Sequence, residues 1–202
     1  MVARIDPRER RRDIVRAAFR LVVAEGVAGM SLRKVAAESG LNIGSVRHYF
    51  RGHDELLIAA AEEAGDRMGR RLAGHPVEAL RGLAGDAARD ALQELVEAVL
   101  PMDEERRLEA IVVTELIVAS RTRPVFAPSA ERMGVDLRQV IAAALEALGV
   151  PDPAGRAAGL TAVIGGLTLD ALTPHGRLAP ERLRAILRQH LRLILHESHG
   201  VL

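Results

Sequence analysis

The sequence predicts an all-α protein of about nine helices, and three observations carry that expectation. The side chains available for a core are Leu, Val, Ile and Ala, because the aromatics amount to three Phe, one Tyr and no Trp. Proline, often beside glycine, falls at apparent junctions: Gly74-His75-Pro76, Pro101, Pro124 to Pro128, Gly149 to Pro153, and Thr173-Pro174-His175-Gly176 to Pro180. Between these junctions apolar residues recur at the three-and-four spacing of a helix face. At 202 residues, 49% of them hydrophobic, the chain can bury one sizeable core or two small ones.

The first helix opens at Asp6-Pro7, with Asp as its cap, Pro at the first helical position and Glu9 at the third. Arg8, Arg10, Arg11 and Arg12 crowd its first two turns, where they either hold phosphates without reading sequence or are simply solvated. Ile14, Ala17, Ala18, Leu21 and Val22 form its apolar stripe, and Gly26 ends it.

Ser31 to Phe50, SLRKVAAESGLNIGSVRHYF, then reads as two short helices joined by a glycine turn. The Ser31 hydroxyl can cap the first, on which Leu32, Val35 and Ala36 share a face. Gly40 suits the left-handed residue that ends a helix, and Asn42 can cap a second helix over Ile43 to about Tyr49. Small Ala36 permits a close crossing, while Val46 and Phe50 face inward. Asn42, Gly44, Ser45, Arg47 and His48 then point away from the core. Such a small, polar, cationic face suits the major groove, where Arg can bond guanine twice and Ser or Asn can read edges or hold phosphates. The alternative is an ordinary helical hairpin with a solvated face.

Charge favours the groove. Residues 1–53 hold 11 Lys plus Arg against 5 Asp plus Glu, a net of +6, whereas residues 54–202 hold 17 against 22, a net of −5. A basic module on an acidic one is the footprint of nucleic-acid binding by the first part alone. The expected organisation is therefore a helix-turn-helix domain over 1–53 and a ligand-binding and dimerisation domain over 54–202.

Arg51-Gly52-His53 forms a tight link, after which Asp54 and Glu55 suit the positive end of a helix running to about Ala73. Leu56, Leu57, Ala60, Ala64 and Met68 carry its inner face. Further helices are expected at 77–100, 103–122, 129–148, 153–172 and 180–197, with Gly82 and Gly85 able to break the first of them. The last two look like an oligomer interface. The helix before Pro174 is apolar nearly all round, Gly165 and Gly166 allow close approach, and Leu169 lies beside them. The final helix adds a broad stripe that includes Leu183, Leu187, His190, Leu191 and Ile194. Two such helices per subunit could form a four-helix bundle about a twofold axis, or both could be core of a single chain.

The helix over 103–122 is apolar on all sides from Ala110 to Ala119 apart from Thr114 and Glu115. A buried carboxylate is costly unless paired, so Glu115 with Thr114 is the candidate polar handle for a small hydrophobic effector. Met102, Arg121, Met133 and Gln139 are its candidate companions; the alternative is a salt bridge to Arg121, Arg138 or Arg156.

No catalytic residue, cofactor or metal site is expected. There is no glycine-rich phosphate loop and no His-Glu-x-x-His, the sole lysine is Lys34 in the basic module, and His196 with His199 at i, i+3 suits a frayed tail. The lack of cysteine fits a reducing cytoplasm. No apolar run reaches a membrane span, and residues 1–30 carry no hydrophobic signal core.

Over Asp13 to Leu57 the sequence resembles the TetR family of bacterial one-component regulators. Gly26, Ser31, Val35, Ala36, Gly40, Gly44, His48, Tyr49, Phe50 and Leu56-Leu57 carry the likeness. PMDEERRLEA followed by a hydrophobic helix is similar to the C-terminal domain of the betaine-regulator-like branch. The resemblance implies a homodimer whose heads enter successive major grooves of a palindromic operator, and a ligand in the C-terminal domain that releases DNA. It places Ser31, Arg33, Asn42, Ser45, Arg47, His48 and Tyr49 on double-stranded DNA, with Arg10, Arg11, Lys34, Gly44 and His53 completing the expected interface. Arg47 stands where an aromatic is common and His53 where a lysine is usual. The expected function is a dimeric, ligand-responsive repressor. The alternatives are a global regulator or activator without an effector, or a helical ligand carrier or interaction module.

Overall fold

The structure, a computed structural model, describes residues 6–196; His199, and with it the His196/His199 pair, lies outside the described residues. Among them the chain forms α1 (Pro7–Gly29), α2 (Leu32–Glu38), α3 (Ile43–Tyr49), α4 (His53–Leu72), α5 (Gly85–Glu97), α6 (Glu104–Ser120), α7 (Ala127–Ala147), α8 (Pro153–Leu172) and α9 (Pro180–His196). Short 3-10 turns stand at Val77–Leu80 and Pro124–Phe126. The helix expected over 77–100 is divided, because Gly82 (φ 76°) and Gly85 (φ 58°) both take left-handed backbone that no helix interior accommodates.

Local chemistry sets the helix starts. Asp6, Ser31, Asn42 and Asp152 each accept a backbone N–H of the first turn that follows. Asp103 does the same before α6, accepting the Arg106 N–H at 2.8 Å and its guanidinium Nε at 2.7 Å. The Arg106 backbone N–H is the largest influence on this carboxyl and, with the guanidinium, holds it below the ordinary carboxylate range against partial burial. Asp103→Ala should cost about 1 kcal/mol in urea unfolding at neutral pH. A depressed folded pKa stabilises above the unfolded value of roughly 3.9 and is lost as pH falls through the folded one, so wild type and variant should converge in acid.

The backbone falls into two compact units. The first runs to Asp66 and takes in Ile111–Ala130; the second is Arg67–Ala110 with the residues from Glu131 onward. Helices α4, α6 and α7 each run from one unit into the other, and the expected boundary after His53 lies at the start of α4.

In the first unit Ile14, Ala17, Ala18 and Val22 of α1 are buried together with Val35, Ala36, Val46, Phe50, Leu56 and Leu57. In the second, Leu92 and Leu95 of α5, Ile141 and Leu145 of α7, Leu160 and Ile164 of α8 and Leu183, Leu187 and Leu191 of α9 form one core. Each fully buried Leu or Ile contributes about 1.5–3 kcal/mol of transfer free energy. The end of α5 is held by arginines from other elements: Arg71 Nε donates to the Ala98 carbonyl and Arg106 Nη1 to the Glu97 carbonyl, each at 2.9 Å. Cationic donors at a helix C-terminus satisfy its free carbonyls and oppose its negative end.

This packing corrects part of the interface expectation. Leu183, Leu187, Leu191 and Ile194 line the inner face of α9, which packs on α5 and α8 of its own chain. Their stripe is spent inside the subunit. What remains at the surface is Gly165, Gly166 and Leu169 on α8, with His190 half-buried on α9.

Candidate nucleic-acid interface

The turn between α2 and α3 is built as its residues require. Gly40 takes φ 68°. The Leu41 N–H donates to the Ala36 carbonyl at 2.9 Å and the Gly40 N–H to the Ala37 carbonyl at 3.2 Å, the paired bonds of a Schellman end. Asn42 then accepts from the Ser45 N–H at 2.8 Å, so α3 leaves the turn in a fixed direction. Val46 and Phe50 are fully buried beneath it.

That leaves Asn42, Gly44, Arg47 and His48 exposed on α3, with Ser45 and Tyr49 half-buried. The His48 and Tyr49 rings meet edge-on with centroids 5.2 Å apart. A Cβ at Gly44 would come within 3.3 Å of the Asn42 carboxamide oxygen, so glycine there leaves the cap undisturbed. On α2, Arg33 is exposed, whereas Lys34 is tied to the Glu25 carboxylate and Arg20 to Glu38 at 2.6 Å. Arg11 on α1 lies over the Phe50 ring at 5.0 Å and Arg10 is half-buried. His53 points elsewhere: half-buried, it meets the Val27 carbonyl at 2.7 Å. Arg47 and Arg33 are thus the cations of the α2–α3 face whose side chains make no bond among the described residues.

The six expected effector residues divide three and three between the units. Thr114 and Glu115 are half-buried and Arg121 is exposed in the first; Met102 and Met133 are half-buried and Gln139 is exposed in the second, where Met102 packs against the core. The fully buried carboxylate of α6 is not Glu115 but Glu109, at 0% exposure, paired with Arg71 and 3.8 Å from Arg67. Sequence reasoning missed this pair. Its signal was Arg67 and Arg71 four apart on α4, one helix turn, with Glu109 at the mouth of the apolar run.

A capped two-helix reading element, its outer face small, polar and cationic, on an otherwise helical chain defines a DNA-binding regulator rather than an enzyme. Residues 14–60 match the bacterial regulatory proteins of the tetR family, and residues 88–196 match the C-terminal domain of BetI-type transcriptional repressors. The chain belongs to the TetR family and is a transcriptional regulator that binds DNA through its helix-turn-helix. It is 28% identical to the HTH-type transcriptional regulator PksA of Bacillus subtilis (strain 168), over 98% of this chain and 96% of that one. A transcriptional regulator from Rhodococcus sp. Rha1 superposes with TM-score 0.83 at 31% identity, covering 95% of this chain and 99% of its own. The multidrug binding protein EbrR, solved with imidazole, superposes with TM-score 0.63 at 32% identity, covering 95% and 93%.

Proposed function

We propose that the chain is a dimeric, ligand-responsive repressor acting in the cytoplasm. Residues 1–53 of each subunit read one half of a palindromic operator, and a small molecule bound within residues 54–202 releases it. The observation that carries the reading is the exposed, unpaired Arg47 on a helix whose start is fixed by the Asn42 cap. A base-reading arginine needs that combination: a rigid mount and a guanidinium with no internal partner.

Dimerisation is supported by α8. Ala158, Ala162, Gly165 and Leu169 stand at i, i+4, i+7 and i+11 and are all exposed, an apolar stripe small enough for two helix backbones to approach closely. Leu193 on α9, 60% exposed, adds a second apolar contact. Leu169→Asp should leave the subunit folded, since the side chain is 47% exposed, yet convert a dimer to monomers in sedimentation and abolish tight operator binding. An unchanged dimer would move the interface off α8.

Effector control is supported by the BetI-type match over 88–196 and by the EbrR likeness. The aliphatic interior suits a hydrophobic molecule, and Thr114 with Glu115 is the polar handle we assign to it. The test of the whole reading is selection of bound duplexes from a random pool, followed by salt titration. An enriched inverted repeat with half-sites about 10 bp apart, bound more weakly as salt rises, is expected of two heads one helical turn apart. Sequence-blind, salt-sensitive binding would replace the repressor by an architectural role.

A further inference from the structure

The first unit contains an arrangement that the DNA-facing surface does not use. Gly26 takes φ 70° and ψ 179°, a region open to glycine alone, and interrupts α1 there. The Val27 backbone that follows meets side chains of two other elements. Its N–H donates to Glu115 Oε2 on α6 at 3.3 Å. Its carbonyl accepts from His53 Nε2 at 2.7 Å. The carbonyl partner requires a proton on Nε2, and Nδ1 stands 3.3 Å from Arg123 Nη1. Arg123 in turn pairs with Asp54, which lies 3.2 Å from the same Nδ1, and covers the buried Phe126 ring at 4.8 Å. Every group in this chain of contacts belongs to one compact unit, the one that joins Ile111–Ala130 to the reading head.

We infer that Glu115, and Arg123 acting through His53, are positioning residues for DNA reading: together they hold the backbone N–H and C=O of Val27, one in each of the two peptide units that flank its Cα. The physical case is that residues 26–30 lead from the interruption in α1 to the Ser31 cap of α2, so their placement sets where the reading element sits on the body of α1. Side chains that bond the Val27 N–H and C=O from other elements therefore help to fix that path. Glu115 supplies an acceptor to the N–H and His53 a donor to the C=O. Arg123 fixes the imidazole by reading its second nitrogen and anchoring Asp54 beside it. None of these groups needs to touch DNA to matter. The inference rests on DNA binding by the helix-turn-helix but on nothing proposed about effector or operator symmetry.

The test uses the full chain and two readouts. Hydrogen exchange of the peptide spanning residues 26–30 is compared in wild type, Glu115→Ala, Glu115→Gln and Arg123→Ala, with α5 and α9 peptides as the folding control. Affinity for the wild type's best selected duplex is measured alongside. Glu115→Ala and Arg123→Ala should speed exchange of the link by about fivefold or more, the worth of one hydrogen bond, leave α5 and α9 unchanged, and weaken duplex binding several-fold. Glu115→Gln keeps an acceptor oxygen and should restore both towards wild type. Unchanged exchange in the link overturns the inference, as does faster exchange with unaltered DNA affinity, or a Gln variant as impaired as Ala. Exchange needs no DNA, so failure of the palindromic repressor reading, judged on wild type alone, is distinguishable from failure of the grip.

Discussion

Arg71→Met should destabilise the chain by about 3–5 kcal/mol, the largest single loss the structure leads us to expect. Arg71 does two things at once. Its Nη2 pairs with Glu109 Oε2, and its Nε donates to the Ala98 carbonyl at the end of α5. Glu109 is fully buried, and its other oxygen has no hydrogen-bond partner among the described residues; Arg67 Nη1, at 3.8 Å, is too distant for one. Removing Arg71 would therefore strand a buried carboxylate rather than merely delete an attraction, and the cost of stranding exceeds the net worth of the pair. Replacing both partners tests this directly: Arg71→Met with Glu109→Met removes the stranded charge and should recover most of the loss in urea unfolding at neutral pH. A double variant no better than the single one would locate the effect in the Ala98 contact. A single variant within about 1 kcal/mol of wild type would mean that Arg67 suffices as the counter-ion.

The contrast between these polar groups shows what a sequence states and what it withholds. Asp6, Ser31 and Asn42 were legible as caps, and Gly40 as a helix end, because each acts within three or four residues of itself. The outward set of α3 followed from them, since cap and period fix which side of a seven-residue helix is buried. Long-range partners leave no such mark. Glu109 borders the apolar run and Glu115 lies within it, and only the position of Arg71, 38 residues from Glu109, marks Glu109 as the paired, buried one. His53 stands where the family resemblance implies a DNA-contacting cation, yet a carbonyl 26 residues earlier takes its ring. For α9 the stripe was plain, but burial free energy has no direction, so a stripe does not say whether it faces its own α5 and α8 or a second subunit.

Arg47→Ala should cost about 1–3 kcal/mol on the preferred duplex and relax the preference at one base pair of each half-site. Loss of affinity alone would not make the case, because any cation near DNA contributes through released counterions. The discriminating quantity is how the loss is distributed over sequences. A guanidinium that bonds two acceptors on guanine pays the cost of unmade bonds only on the correct base, so the variant should lose affinity there and almost nothing on duplexes already mismatched at that position. Its salt slope should stay close to wild type. Arg11→Ala provides the opposite case: exposed at the start of α1 over the Phe50 ring, it is placed to meet phosphate, so its loss should be uniform over sequences with the slope smaller by about one. Should Arg47→Ala behave like Arg11→Ala, the base-reading role would pass from Arg47 to Arg33, the other cation of this face without a partner among the described residues, while the capped geometry of α3 would stand unchanged.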